Sequence, residues 1–257
     1  MTQPGRYLYC IIRCSEERAF EGVAPIGGAD AAVYTVPHGA LAMVVSDSAT
    51  REYEATRANM LAHERVQERV LREFTLLPVR FGTVANSTAP VHEIQRLLEK
   101  RSPEFDRLLL EMEGKVELGI KALWRNEKVI FEEVLAENPR LRRLRNSLMG
   151  KPPEVVRREG VPLGEGVKAA LEQKKSAEAA TIVAPLGRIA RRVQADQTTV
   201  DRMIVNTAFL VDQERQEEFD RQVALLDTEL GPRVLFKYVG PVPPYNFVNI
   251  VVNWDEV

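Results

Sequence analysis

The chain of 257 residues is 45% hydrophobic and 28% charged, an ordinary globular composition that excludes a wholly disordered protein. At roughly 100 to 200 residues per domain, this length predicts one large domain or two modest ones. The 35 basic and 37 acidic residues are spread along the whole chain and give a net charge of −2, so the composition does not favour a nucleic-acid-binding protein.

The sequence also carries signals of compartment. It has no run of about 18 apolar residues that could cross a membrane, and Met1–Arg6 lacks the pattern of a signal peptide. Cys10 and Cys14 lie about 13 Å apart along a predicted strand, too far for a disulfide, whose Cα atoms lie within about 7 Å. We therefore expect an intracellular protein in a reducing compartment, with no membrane association.

The first half of the chain predicts a two-layer α+β unit, with helices on one side of an antiparallel sheet. A continuous apolar run predicts a central strand that is buried on both faces, and a 3.6-residue period predicts a long helix later in this half. The predicted elements are a strand at Tyr7–Ile12, a short helix at Glu16–Gly22, a hairpin at Ala32–Val45, a helix at Arg51–Phe74, a strand in the run Leu76–Thr83 and a helical connector at Val91–Met112.

The run Leu76–Thr83 is notable because Arg80 interrupts it between Val79 and Phe81. A buried guanidinium without a partner costs several kcal/mol, so Arg80 needs either an ion partner or a route to water. Two interpretations remain open: an internal ion pair that fixes the strand register, or a residue that contacts another protein.

The second half predicts another α+β sandwich, with a helical insertion after its first strand. Alternating apolar residues predict that first strand, and we place a domain boundary just before it, which gives domains 1–112 and 113–257. The predicted elements are a strand at Lys115–Trp124, helices interrupted at Pro139, Pro152 and Pro162, a strand at Arg202–Val211, a helix capped by Asp212 and ended by Gly231, and strands at Val234–Val239 and Phe247–Val252.

Residues with the spacing of a metal or catalytic site are scarce. His63-Glu64-Arg65-Val66-Gln67 begins like a zinc-protease helix, but Gln67 occupies the position of the second imidazole. We therefore interpret His63, on the apolar face of its helix, as a structural polar residue. We expect no catalytic residue, no metal and no cofactor, and hence a protein that is not an enzyme.

Arginines cluster at Arg140–Arg145, Arg157–Arg158 and Arg188–Arg192. Such clusters can bind acidic partners. The interleaved leucines suit an amphipathic helix better, however, and aromatic residues for stacking on RNA bases are missing. A solvated face or a protein contact is the interpretation that we prefer.

Four segments together resemble the gas vesicle GvpF/GvpL family. In chain order they are His63–Val66, Leu77–Thr83, Glu117–Lys121 and Gly240–Val248. Each segment is a weak signal alone, but their order and their spread over almost the whole chain make the resemblance specific.

The resemblance implies an accessory or minor structural protein of the gas vesicle, the hollow protein shell that gives aquatic microbes buoyancy. Such a protein binds the main shell protein, and other accessory proteins of the vesicle, during assembly or at the gas-facing surface. The resemblance also implies two α+β domains, the second a modified ferredoxin-like fold.

On this hypothesis Arg80 anchors its loop or pairs with a carboxylate, and Phe81, Tyr245 and Phe247 are candidate contact residues. One alternative is an RNA-binding or regulatory module on a ferredoxin-like scaffold. Another is an enzyme, which requires a concave pocket with strongly perturbed titratable groups.

Overall fold

This computed structural model describes residues 5–28 and 31–254 of the chain. Two compact units make up the chain. The first comprises the described residues up to Glu117 together with those from Gly240 onward, and the second is Leu118–Val239. The C-terminal segment therefore packs with the first unit although it follows the second in sequence.

The first unit is built on an antiparallel sheet. Its elements are β1 (Gly5–Arg13), β2 (Ala19–Phe20), β3 (Val33–His38), β4 (Leu41–Ser48), α1 (Arg57–Leu71), β5 (Leu76–Pro78), β6 (Val84–Ala85), α2 (Pro90–Lys100) and α3 (Ser102–Met112). The strand order is β2-β3-β4-β1-β5, and β6 pairs with the start of β1. Strands β3 and β4 form the predicted hairpin, which turns at Gly39 with a φ of +61°.

Strand β1 is the centre of the core, and Tyr7–Ile12 are fully buried, as the apolar run predicted. Helix α1 packs on one face through Val66 and Val70. Helices α2 and α3 also contact β1. Their buried residues lie outside the hydrophobic cluster that contains Val66 and Val70. Helices thus lie on both faces of this sheet, and not on one side only as the element order suggested, because a strand buried on both faces needs two covers.

Two local predictions for this unit differ from the structure. Glu16–Gly22 forms no helix and contributes only the short strand β2. Phe247–Val252 does not form a regular strand either: Ile250 makes a single parallel bridge with Val79.

The second unit has its own four-stranded antiparallel sheet, with the order β10-β7-β9-β8. Strand β7 begins in the first unit, and β10 passes into that unit at Gly240. The elements are β7 (Lys115–Trp124), α4 (Glu127–Glu137), α5 (Pro139–Leu148), α6 (Pro153–Glu159), α7 (Val161–Gly187), β8 (Arg192–Ala195), β9 (Met203–Asp212), α8 (Gln216–Leu230) and β10 (Val234–Val242).

Helices α4 to α7 form the predicted insertion after the first strand. Strand β8 was not predicted, because its four residues are all exposed and lack an apolar alternation. Asp212 ends β9 and pairs with Arg191, Oδ2 to Nε at 2.7 Å, so it does not cap α8, which begins four residues later. None of the helices in the described part of the chain is long and apolar enough to span a membrane.

Candidate protein-binding cleft

A cleft with a volume of about 270 Å³ opens in the first unit. Helix α1, the segment that follows β5 and the C-terminal segment form its walls. The lining residues are Met60, His63, Glu64, Pro78–Phe81, Tyr245 and Val248–Ile250. The lining is mainly apolar, with Glu64 and Arg80 as its charged members.

A buried hydrogen-bond network lies at the base of the cleft. The amide Nε2 of Gln67 lies 2.9 Å from Nε2 of His63, and an amide nitrogen can only donate, so Nδ1 carries the imidazole hydrogen and donates to Tyr7 Oη at 3.0 Å. Gln67 Nε2 also donates to the carbonyl oxygen of Tyr9 at 2.5 Å. Burial lowers the pKa of His63 to about 4, more than the nearby Val79 carbonyl raises it, so the ring is neutral near pH 7.

The same network holds the backbone of the arginine loop. Gly82 N donates to Tyr7 Oη at 3.0 Å, and the φ of +82° at Gly82 favours glycine there. Val79 N donates to Tyr9 O at 2.9 Å, and Thr83 Oγ1 donates to Arg80 O at 2.7 Å. Hydrogen bonds made by the loop's own main-chain groups therefore hold its conformation, and the arginine side chain takes no part.

Arg80 lies outside strand β5, which ends at Pro78, and its side chain is exposed. It forms no ion pair and no side-chain hydrogen bond with any residue that the structure describes. Of the two requirements derived from the sequence, an ion partner or a route to water, the structure satisfies the second.

The three aromatic candidates differ in exposure. Phe81 is half-buried, and its ring centroid lies 5.7 Å from that of His63 and 6.4 Å from that of Tyr7. Tyr245 is 37% exposed and lines the cleft, whereas Phe247 is only 8% exposed and does not line it. Phe81 and Tyr245 therefore present apolar surface to the cleft.

The C-terminal segment is attached to this site through Glu117. Asn246 donates twice to that carboxylate, from its backbone N to Oε2 at 2.9 Å and from Nδ2 to Oε1 at 2.7 Å. Glu117 is only 3% exposed, so these hydrogen bonds compensate for the loss of water. Arg80 N also donates weakly to Ile250 O, at 3.4 Å.

All four segments of the family resemblance therefore meet at one place. His63 and Glu64 line the cleft from α1, Pro78–Phe81 line it from the loop, and Tyr245 and Val248 line it from the C-terminal segment. Glu117 belongs to the remaining segment and holds Asn246. In the sequence alone these segments are separate motifs along the chain.

Sequence reasoning missed Tyr7, Gln67, Glu117 and Asn246 as members of this site. Gln67 carried a signal, since it lies one helical turn after His63 on the same face. Tyr7 is concealed in an apolar run. Glu117 stands on the side of β7 that the alternation predicted to be exposed, whereas the structure buries it.

Burial shifts the pKa values of the titratable groups that line the cleft. Burial, with the like charge of Glu68, raises the pKa of Glu64. Burial also raises the pKa of the Tyr245 phenol, with smaller contributions from Glu64 and Glu68. Both nitrogens of His63 are occupied, and no three His, Cys, Asp or Glu residues within the described ranges are close enough to hold a metal ion.

Comparisons with known proteins agree with the resemblance. The family described as gas vesicle synthesis protein GvpL/GvpF matches residues 5–249. Gas vesicle protein F of Streptomyces sp. strain CB03234 is 30% identical over 244 residues, which are 94% of this chain and 98% of that protein. Gas vesicle protein F of Microcystis aeruginosa strain PCC 7806 is 27% identical over 249 residues, which are 96% of this chain and 99% of that protein.

A solved structure is similar over almost the whole chain. The crystal structure of the gas vesicle protein GvpF from Anabaena sp. PCC7120 has a TM-score of 0.80 at 24% identity, and the match covers 97% of this chain and 100% of that chain. This likeness establishes a shared fold.

Proposed function

We propose, because this chain belongs to the gas vesicle synthesis protein GvpL/GvpF family, that it is an accessory or minor structural protein of the gas vesicle. In this proposal it binds the main shell protein during vesicle assembly and acts by holding a polypeptide, without catalysis. We place it at the gas-facing surface of the shell, with other accessory proteins of the vesicle as further partners.

The observation that supports this proposal is the convergence of four family-like segments on the cleft of the first unit. The segments come from distant parts of the sequence, and hydrogen bonds from backbone N–H groups to buried side chains hold two of them in place. A concave, mainly apolar site with a few fixed polar groups is the usual form of a binding site.

The chemistry of the cleft suggests what segment of the shell protein it takes. Arg80 reaches water and has no ion partner among the described residues, so it is available to pair with a carboxylate. Phe81 and Tyr245 supply aromatic surface of the kind that dominates binding energy at interfaces. The partner segment is therefore apolar with an acidic residue. A stable complex buries about 1,200 to 2,000 Å² in total, so the contact extends beyond the cleft.

A pull-down with purified shell protein tests the proposal. We expect Arg80→Ala and Tyr245→Ala each to weaken binding at least about tenfold, as the loss of a contributing contact residue does, with a melting temperature within about 2 °C of the original. Arg72→Ala, at the exposed C-cap of α1, is the matched control and should bind normally.

Two results would count against the proposal in different ways. Normal binding by both cleft variants would remove the cleft as the contact while leaving the function intact. No binding of shell protein by the unaltered protein would remove the proposed function itself.

We assign the modified ferredoxin-like fold to the second unit. Its element order of strand, helices, strand, strand, helix, strand supports this assignment, as does the sheet order with β7 and β9 in the centre. The RNA-binding alternative uses exposed aromatic residues on the two central strands of such a sheet. Trp124 of β7 and Phe209 of β9 are 2% and 0% exposed, which favours protein binding over RNA binding.

A further inference from the structure

The helical insertion carries a basic surface that the proposed function does not use. Residues 139–164 have a net charge of +5, in a chain whose total is −2. The basic residues are Arg140, Arg142, Arg143, Arg145, Lys151, Arg157 and Arg158, and the acidic ones are Glu154 and Glu159. We call residues 139–164 the basic tip.

Four arginines of the basic tip are exposed and form no ion pair with any residue in the described part of the chain. They are Arg140, Arg142, Arg143 and Arg157. Other basic residues of the second unit, outside the basic tip, do form ion pairs: Arg233 binds Glu133 and Glu178, and Lys174 binds Glu137. Clustered like charges repel one another, so an anionic partner would be attracted to this surface.

The apolar side of α5 fixes the orientation of these arginines. Leu141 and Leu148 are buried, and Leu141 packs in a small core with Val134 and Val167. Gly166 of α7 allows the close approach, since a Cβ atom at that position would lie 2.5 Å from Leu141 Cδ2. The leucines of α5 are consequently not available for insertion into a lipid bilayer, and its polar face is held outward.

Exposed aliphatic side chains accompany the charges. Met149 after α5 and Val161 at the start of α7 are 71% and 55% exposed, and Val156 of α6 is also exposed. The basic tip has no aromatic residue on which nucleic-acid bases could stack. Cations beside aliphatic surface complement an acidic amphipathic polypeptide better than they complement RNA or a membrane.

We propose that the basic tip is a second interaction surface, which binds an acidic amphipathic segment of another polypeptide. Carboxylates of that segment pair with Arg140, Arg142 and Arg143, and its aliphatic side chains contact Met149 and Val161. This contact lies in the second unit, so it does not depend on the cleft or on its proposed occupant.

The probe for this surface is a fluorescein-labelled amphipathic helix of about 20 residues composed of glutamate and leucine. We expect the full-length protein to bind it, and the affinity to fall at least about tenfold between about 50 and 300 mM NaCl because the charges are screened. Removal of three arginines, as Arg140→Ala/Arg142→Ala/Arg143→Ala, should also lower the affinity at least about tenfold. A peptide with lysine in place of glutamate should not bind.

The control variant Arg65→Ala/Arg72→Ala/Arg107→Ala removes the same charge from exposed positions of the first unit and should bind like the original protein. Arg80→Ala should also bind normally, which separates this surface from the cleft. Circular dichroism and thermal unfolding check that each variant is folded.

Three outcomes would overturn the proposal: no binding of the glutamate peptide, equal loss of binding in both triple variants, or loss of binding in Arg80→Ala. Tighter binding of polyuridylate, or of phosphatidylglycerol vesicles, that depends on the same arginines would also overturn it, in favour of a nucleic-acid or lipid ligand.

Discussion

His63 is a histidine that the first unit keeps neutral inside its core. Its two nitrogens are hydrogen-bonded to Tyr7 and Gln67, and the rings of Tyr9 and Phe81 pack around it. A protonated imidazole at this position would lose its hydration without gaining a negative partner, so burial lowers its pKa. Through Tyr7 this neutral ring also supports the Gly82 turn.

We expect acid to destabilise the protein through His63 between pH 6.5 and about 4. In this window the unfolded chain, with an ordinary pKa of 6.5, binds a proton that the folded state does not bind. The stability due to neutral His63 is therefore complete above pH 6.5 and is lost as the pH falls towards 4, by about 3 kcal/mol in total. Urea unfolding at a series of pH values measures this loss.

Proton NMR of the three histidines supplies the control. One imidazole should titrate near pH 4 and should disappear in His63→Gln. His92→Gln, at an exposed position of α2, should leave that signal and the pH dependence of stability unchanged. If all three imidazoles titrate near pH 6.5, the prediction that His63 stays neutral in the core is wrong.

For single residues, the sequence pattern singled out Arg80 but placed it in the wrong local structure. Arg80 was singled out because it interrupts an apolar run, but the strand ends at Pro78 and the side chain reaches water from a loop. The bond between Glu117 and Asn246 joins residues far apart in sequence, and local periodicity carries no information on such a pairing. Sequence patterns locate candidates, and tertiary folding decides their partners.

Among the elements of the second unit, Arg233, the residue before β10, pairs with two carboxylates. It donates to both oxygens of Glu133 on α4, at 2.6 and 2.7 Å, and to Glu178 on α7 at 2.8 Å. Trp124 at the end of β7 donates to the same Glu178 carboxylate at 2.7 Å. The Arg233 guanidinium thus joins the helical insertion to the start of β10, and the Trp124 indole joins it to the end of β7.

We expect Arg233→Met to lower the free energy of unfolding by about 2 kcal/mol, since it leaves two half-buried carboxylates without their main partner. The hydrogen bond from Arg233 lowers the pKa of Glu133 to about 2, so the stability that it confers is present above pH 4.5 and is lost as the pH falls towards 2. The variant should lose most of this acid dependence. Chemical denaturation at pH 7 and pH 3 measures both effects.

Arg221→Met is the matched control, because the Arg221 and Glu217 side chains are 70% and 89% exposed. It should cost less than about 0.5 kcal/mol. Similar losses in the two variants would mean that Arg233 contributes no more than a surface ion pair.

Helices and strands whose apolar residues recur with a clear period were predicted well, and elements without such a period were not. Helix α1, the hairpin and the long strands follow from their apolar patterns. Strand β8 is exposed throughout, so it has no apolar pattern to detect. Phe247–Val252 has the β-branched composition of a strand, but it meets only Val79 as a pairing partner, and strand propensity without a partner strand is not enough.

For the whole molecule, we propose that the two compact units also fold as domains. The sequence placed the boundary between residues 112 and 113, and that division remains a prediction. The sequence-based division assigns the C-terminal segment to the second domain, whereas the structure packs it with the first unit. The stability of two truncated proteins, one for each division of the chain, distinguishes the two descriptions.

A chain in which a glycine-serine linker replaces Leu118–Val239 should unfold cooperatively in a calorimeter, because it keeps all the hydrogen bonds around the cleft. Residues 1–112 alone lack Glu117 and the C-terminal segment, and should melt at a lower temperature. If residues 1–112 are the more stable of the two, the boundary predicted from sequence is the better description. If neither piece unfolds cooperatively, the units are not independent domains.

The placement of the third wall of the cleft has a consequence for biosynthesis. A ribosome makes α1 and the arginine loop early, but it makes Tyr245 and Ile250 only after all of Leu118–Val239 has been translated. Domains generally fold in the order of their synthesis, so a nascent polypeptide carries an incomplete pocket for most of its time on the ribosome. We therefore expect that the partner proposed for the cleft binds only after translation has passed the last motif, so that growing chains are not engaged prematurely.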